Sequence, residues 1–346
     1  MSNPIIPHPL PVTLLTGFLG SGKTTLINHL LENNCNEKII IIENEFGQVN
    51  LDSDLLNVNC DIQIVEMTNG CICCTVQGEL TDALHKLHAQ RTAGKLTFDR
   101  LIIETTGLAD PAPIIQTFFI DGLIRETIKL DAIITLVDAQ HILQHLEQHR
   151  VVLSQIGFAD RIIITKTDCV SEEQKNEIIN RINRINNKAA IVVAINGQLP
   201  KSQWIDIHSF DLNDDLIINK GFFVINSIKN VETSFKILPL EKQPQSWEDN
   251  ICSYLFEAGE LDLKKIGLFM ENLVEQYGND MLRYKGVLAI KDNPQRLIVQ
   301  GVHKIVGFDY GSSWQDPSEK ISRLVVISRI LPFDDLNQAF LKTIAD

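Results

Sequence analysis

The stretch Thr16-Gly17-Phe18-Leu19-Gly20-Ser21-Gly22-Lys23-Thr24-Thr25 constrains this chain more than any other. It fits the pattern G-x-x-x-x-G-K-[ST], with an apolar run at 12–15 before it and an amphipathic run (Leu26, Ile27, Leu30, Leu31) after it. That order reads as strand, glycine loop, helix. Gly17, Gly20 and Gly22 let the backbone wind around a polyphosphate with its N–H groups, that of Ser21 included, pointing inward, and the helix N-terminus adds partial positive charge. Lys23 is expected to reach the terminal phosphates and Thr24 to hold Mg²⁺ through its hydroxyl, with Thr25 completing the binding stretch.

Short β-branched runs at 12–15, 39–42, 62–65, 101–103, 133–137, 162–164 and 191–194 alternate with helical patterns. Several are apolar throughout, as strands covered on both faces are. The expected fold class is therefore α/β: a P-loop NTPase with a mostly parallel sheet and helices on both faces. At 346 residues the chain exceeds what one core usually supports. We expect a nucleotide-binding domain over 1–215 and a linker or peripheral segment over 216–247, where prolines interrupt the pattern. A smaller α+β domain over 248–346 should follow, with strands near 252–256, 287–290, 297–302 and 324–330, a helix of period 3.6 ending near Gly278, and a closing helix after Pro332.

Charge and cysteine usage narrow the setting. Thirty-one basic against 44 acidic residues give a net charge of −13, which argues against a nucleic-acid backbone as partner. No run approaches the ~18–20 apolar residues of a membrane helix, and residues 1–10 lack an apolar leader core, so a cytoplasmic location is expected. In a reducing compartment an odd count of seven cysteines reads as metal or redox chemistry where they cluster.

The base must be read away from the phosphate loop. Thr165-Lys166-Thr167-Asp168 follows a strand and resembles the [NT]-K-x-D element. A carboxylate at Asp168 accepts two hydrogen bonds, and guanine offers two adjacent donors on N1 and N2 where adenine does not. Such a site favours GTP by roughly 10⁴-fold where it is fully buried. Lys166 is expected to lay its stem along the base. In Leu101-Ile102-Ile103-Glu104-Thr105-Thr106-Gly107, the apolar strand ends in a carboxylate. Glu104 is expected to hold Mg²⁺, directly or through water, and the Gly107 N–H to meet the γ-phosphate. Asp110 and Glu43 are the candidates for orienting the attacking water.

Asn69-Gly70-Cys71-Ile72-Cys73-Cys74 is the second strong signal. Thiolates suit Zn²⁺ or Cu⁺. A structural zinc site wants four ligands, commonly from two separated pairs. With no second pair in the chain, the cluster points to an open, exchangeable site. A redox-active thiol pair and inert buried cysteines are the alternatives. Glu43-Asn44-Glu45-Phe46-Gly47 falls where a first switch loop would lie, and its carboxylates are candidates to complete the metal site. Cys35, Cys60, Cys169 and Cys252 stand alone and read as packing residues. His141, His145 and His149 share one helical face by spacing, which reads as a solvated face rather than an auxiliary metal site. His85 and His88 read as surface residues.

Taken in order, the phosphate loop, Glu43 to Gly47, Asn69 to Cys74, Glu104 to Gly107 with Ala109-Asp110-Pro111, and Thr165 to Asp168 resemble the motif set of the CobW-like P-loop GTPases, nearest their YjiA-type branch. Arg283-Tyr284-Lys285-Gly286-Val287-Leu288 resembles the CobW C-terminal domain. The resemblance implies weak GTP hydrolysis, binding of Zn²⁺ or another transition metal such as Co²⁺ at the Cys-x-Cys-Cys loop, delivery to a client metalloprotein, and homodimers in some members. It assigns Glu43, Cys71, Cys73 and Cys74 to the metal, and Lys23, Thr24, Glu104 and Asp168 to the nucleotide. Some members carry a carboxylate directly after Glu-Asn-Glu-Phe-Gly, where this chain has Gln48.

The leading expectation is a GTP-hydrolysing metallochaperone whose thiol loop, lying between two switch segments, is ordered by γ-phosphate and relaxed by hydrolysis. A thiol- or metal-sensing regulatory GTPase switch is the competing class, and an accessory role in cobalt insertion for corrin biosynthesis is a third. A P-loop kinase is disfavoured by Asp168.

Overall fold

The computed structural model describes residues 9–33, 37–44, 63–66, 75–210, 251–316 and 320–345. Its first layer is a seven-stranded sheet built from β1 (Leu10–Gly17), β2 (Ile39–Asn44), β3 (Gln63–Glu66), β4 (Arg100–Thr105), β5 (Ile128–Asp138), β6 (Arg161–Thr165) and β7 (Ala190–Ala194). Their order is β3-β2-β4-β1-β5-β6-β7 and every pairing is parallel. All seven predicted runs are strands of this sheet.

The uniform apolarity of those runs has a direct cause. In β2, Ile40 and Ile42 face one hydrophobic core while Ile39 and Ile41 face a second on the other side. Successive side chains alternate faces, and both faces are covered. Helix α1 (Lys23–Asn33) supplies Leu26, Ile27, Leu30 and Leu31 to one face. The other is covered by α2 (Thr75–Thr92), α3 (Ala112–Ile120), α4 (Gly122–Thr127), α5 (Ile142–Gln148), α6 (Arg150–Phe158) and α7 (Glu172–Ile185). A capping box closes the start of α7: Ser171 accepts from Gln174 N while the Gln174 side chain accepts from Ser171 N. The irregular stretch after β7 is packed, with Leu199, Trp204 and Ile205 buried under α1's side of the sheet.

The second layer is a five-stranded antiparallel sheet of β8 (Ile251–Ala258), β9 (Met281–Ala289), β10 (Gln295–Val302), β11 (Ile305–Ser313) and β12 (Ser322–Arg329), in the order β11-β10-β9-β12-β8. Helices α8 (Leu263–Tyr277) and α9 (Phe333–Leu341) cover one face. Asp262 caps α8 by accepting from the N–H groups of Lys264 and Lys265, and Gly278 ends it where the sequence predicts. Strand β11 was not expected: it lies at the sheet edge with Phe308 and Tyr310 exposed, so it lacks the alternation by which half-buried strands are recognised.

The two sheets meet through α6 and β9. Leu282 packs on Gly157, where an added Cβ would lie 2.5 Å from Leu282 Cδ1. Arg283 donates to Phe158 O (2.9 Å) and pairs with Asp160 Oδ1 (2.5 Å), Lys285 pairs with the same oxygen (3.3 Å), and Asp160 Oδ2 accepts from Ile133 N (2.9 Å). Burial works to raise Asp160, but Arg283 and Lys285 outweigh it and hold the carboxyl below its usual range.

Candidate nucleotide and metal site

β1 is the central switch point of the first sheet, with β4 on one side and β5 on the other, and ligands of such sheets bind beyond the carboxyl ends of the strands. The phosphate-loop pattern begins at the end of β1. Gly17, Gly20 and Gly22 have φ of +139°, +72° and +98°, a region that L side chains avoid. A Cβ on Gly17 would also overlap Leu136 O and approach Ser21 Oγ to 2.9 Å. The loop closes through Ser21 N–H to Phe18 O (3.1 Å), and Lys23 Nζ donates to Gly17 O at 2.9 Å. Ser21 Oγ is buried without a hydrogen-bond partner among the described residues. A cradle that a Cβ would fill, containing an orphaned hydroxyl, fits a polyphosphate.

The predicted base-reading element adjoins this loop. Thr165 Oγ1 donates to Ser21 O at 2.8 Å, tying the two together. Lys166 takes a left-handed φ of 56°, and its Nζ bonds Asp138 Oδ2 at 2.8 Å. Asp168 follows in an exposed 3-10 turn over Thr167–Cys169. On the other side, Gly197 (φ +73°) approaches α1 so closely that a Cβ would stand 2.8 Å from Thr25 O. Asp138 went unnoticed in the sequence, although it ends an apolar strand in the same way that a carboxylate does in β4. Burial works to raise its pKa, but bonds from Lys166, His141 and the Gln140 N–H prevail and the net shift is downward.

The predicted second switch begins in β4. Glu104 aligns with Leu15 of β1 on one side and with Glu43 of β2 on the other. Thr105 Oγ1 donates to Thr16 Oγ1 (2.9 Å). Gly107 sits against the phosphate loop, where a Cβ would overlap Leu19 N and lie 2.7 Å from Leu19 Cγ. Asp110 Oδ1 accepts from Ala112 N (3.0 Å) and Ser154 Oγ (3.2 Å). Gln155, also missed in the sequence, lies beneath this turn.

Of the predicted metal residues, Glu43 is described at the end of β2. Cys71, Cys73 and Cys74 lie outside the described residues, as do Glu45, Gln48, Cys35 and Cys60. The flanking elements are defined: β3 ends at Glu66, which aligns with Glu43, and α2 starts at Thr75. Cys169 is exposed, correcting its reading as a packing residue; the 3-10 turn holds it outward.

The three histidines form a solvated face only in part: His141 is exposed, and His145 and His149 are half-buried. Helix α5 spans only Ile142–Gln148, so His141 and His149 are its caps. His145 and His149 pack on Phe18 of the phosphate loop with ring centroids 4.4 and 4.6 Å away, and His141 Nδ1 lies 3.0 Å from Asp138 Oδ2. Burial, then the neighbouring His141 and His149, pull the His145 pKa down. His85 is half-exposed rather than free, bonding both oxygens of Asp121 at 3.1 Å. Among the described residues no group of three His, Cys, Asp or Glu side chains stands close enough to hold a metal.

Fold and loop together define a phosphate-loop α/β protein carrying an additional antiparallel-sheet domain. The chain belongs to the CobW/HypB/UreG family: the model of that nucleotide-binding domain matches residues 11–193, and that of the cobalamin synthesis protein cobW C-terminal domain matches residues 251–344. It is 38% identical over 333 residues to the zinc chaperone YjiA of Escherichia coli, spanning 96% of this chain and 98% of that one. To the zinc chaperone CobW of Pseudomonas aeruginosa it is 30% identical over 353 residues, 93% and 88% of the respective chains. The crystal structure of the Zn(II)-bound YjiA GTPase from E. coli matches with a TM-score of 0.73 at 32% identity, covering 97% of this chain and 99% of that one.

Proposed function

We propose that this chain is a cytoplasmic zinc-handling GTPase: it binds Mg²⁺-GTP, hydrolyses it slowly, and carries Zn²⁺ to a client metalloprotein. Lys23 and the N–H groups of the glycine loop hold the phosphates, Thr24 and Glu104 hold Mg²⁺, and Asp168 reads guanine from the end of β6. Asp110 is assigned the orientation of the attacking water. Glu43, Cys71, Cys73 and Cys74 hold the zinc. Both chaperone relatives named above are zinc chaperones by name, which supports zinc rather than cobalt as the metal.

The observation that supports this most is the row Glu66, Glu43, Glu104, Leu15 at the carboxyl ends of β3, β2, β4 and β1. Adjacent strands lie ~4.8 Å apart, so about 14 Å separates the strand that leads into the thiol segment from the strand that leads into the phosphate loop. The carboxylates of Glu43 and Glu104 stand on neighbouring strands between them. A γ-phosphate with its Mg²⁺ and a thiolate-bound zinc would share this edge, so an ordered first switch serves both. A ~100-fold change in zinc affinity between nucleotide states needs about 2.7 kcal/mol of coupling.

Nucleotide choice is tested with Asp168→Asn. Phosphate release from GTP by the wild type should exceed that from ATP by orders of magnitude, and the variant should lose at least 100-fold in GTP affinity while ATP binding stays as weak as before. Preferential turnover of ATP by the wild type would overturn the assignment.

A further inference from the structure

Gln155 is fully buried in α6, and nothing in the phosphate-loop, base or metal readings uses it. Its Nε2 donates to two carbonyls of the loop after β4, Gly107 O at 3.1 Å and Ala109 O at 3.2 Å. The same loop is closed on itself by Ala109 N–H to Thr106 O (3.1 Å). One primary amide thus pins a turn at two points, and its backbone carbonyl is in turn held by Thr135 Oγ1 at 2.7 Å. Gln155 also lines a small pocket together with Phe18 of the phosphate loop, Asp138 and His145. Above it, Gly107 already rests on Leu19.

We propose that Gln155 is a positioning residue for GTP hydrolysis, acting through the Gly107 turn; this rests on the GTPase reading given above. A donor aimed at charge that develops during phosphoryl transfer helps only if it is in place beforehand. Gly107 has no side chain to anchor it, so a tie at its carbonyl adds to the contact with Leu19 and the Thr106–Ala109 hydrogen bond in holding its φ and ψ. The Gln155 amide supplies that tie from a buried position on α6, holding the turn in contact with the phosphate loop so that the Gly107 N–H faces the γ-phosphate. The Nε2 amide, with two N–H donors on one uncharged nitrogen, serves both carbonyls from this position. Glutamate, equal in size, has none when ionised and would repel them, and leucine would leave both unpaired.

The discriminating experiment compares wild type, Gln155→Glu, Gln155→Leu and Leu282→Ala, the last destabilising α6 from its far side without touching the turn. Steady-state phosphate release, binding of GDP and melting temperature are measured for each, together with hydrogen–deuterium exchange of the segment around residues 105–110. Both Gln155 variants should lose at least tenfold in kcat with KM and GDP affinity within about twofold, and that segment should exchange faster. Leu282→Ala should lower the melting temperature with kcat retained. Unchanged kcat in both Gln155 variants, or parallel losses of kcat and GDP affinity matching those in Leu282→Ala, would overturn the proposal. Were the wild type not to turn over GTP, the GTPase reading would fail. Exchange in the nucleotide-free chain would still decide the clamp, since slow exchange that is unaltered by Gln155→Leu refutes it.

Discussion

Replacing Asp160 with alanine removes the carboxylate that joins the two layers. Its Oδ1 receives Arg283 and Lys285, whose side chains are 6% and 18% exposed, and its Oδ2 receives the Ile133 N–H. Breaking a buried pair from one side leaves uncompensated charge and costs about 3–5 kcal/mol. At ~2–4 °C per kcal/mol for a unit of this size, the transition involving this interface should fall by roughly 6–20 °C. Differential scanning calorimetry at pH 7 reads the shift, and the interface loss should separate the unfolding of the two layers into distinguishable transitions. Lys285 adds a pH signature. Burial and then Arg283 draw it down from 10.5 to about 8 against the pull of Asp160. Because the unfolded chain binds that proton more tightly, stability rises with pH between those two values, and removal of Asp160 extends the rise below 8. The deficit of the variant should therefore shrink as pH rises towards about 8 and stay level above it. The triple change Asp160→Leu, Arg283→Met, Lys285→Met should recover much of the loss, since apolar replacements leave no charge stranded. A shift under 2 °C for Asp160→Ala, or a triple variant no more stable than the single one, would refute the reasoning.

Gly17→Ala should abolish detectable nucleotide binding and lower the melting temperature, because the left-handed φ and the overlap with Leu136 O strain the loop together; wild-type affinity in an equilibrium binding assay would contradict this. His145 has a folded pKa below its ordinary 6.5, so the unfolded chain takes up the proton first and stability declines as pH falls through that value. His145→Gln should flatten the stability slope between pH 7 and 5.5, measured by urea unfolding, and an unaltered slope would count against the packing account.

Much of this molecule was legible because its strongest signals are local. The seven runs of the first sheet carry their own evidence, since burial on both faces demands apolar side chains throughout, as the four isoleucines of β2 show. The phosphate loop is equally local: three glycines at fixed spacing do what only glycine can. The misses are relations between distant positions. Asp138 and Lys166 are 28 residues apart, and Gln155 lies 48 from Gly107, so no spacing rule joins them. The histidines show a partial failure, in which a correct periodicity gave incomplete surroundings. Their spacing puts them on one side of α5, where His141 is exposed as expected while His145 and His149 are half-buried against Phe18. Strand β11 was hidden because pairing at one edge, and not burial, forms it.

The most direct test of the central claim is a competition titration of Zn²⁺ into fully reduced protein with Mg²⁺ and either a non-hydrolysable GTP analogue or GDP. Tighter zinc in the GTP form, by about 100-fold and abolished in Cys73→Ala, is the predicted result, and zinc should tighten binding of the analogue by the same factor. Equal zinc affinity in the two nucleotide states would contradict nucleotide-controlled zinc delivery.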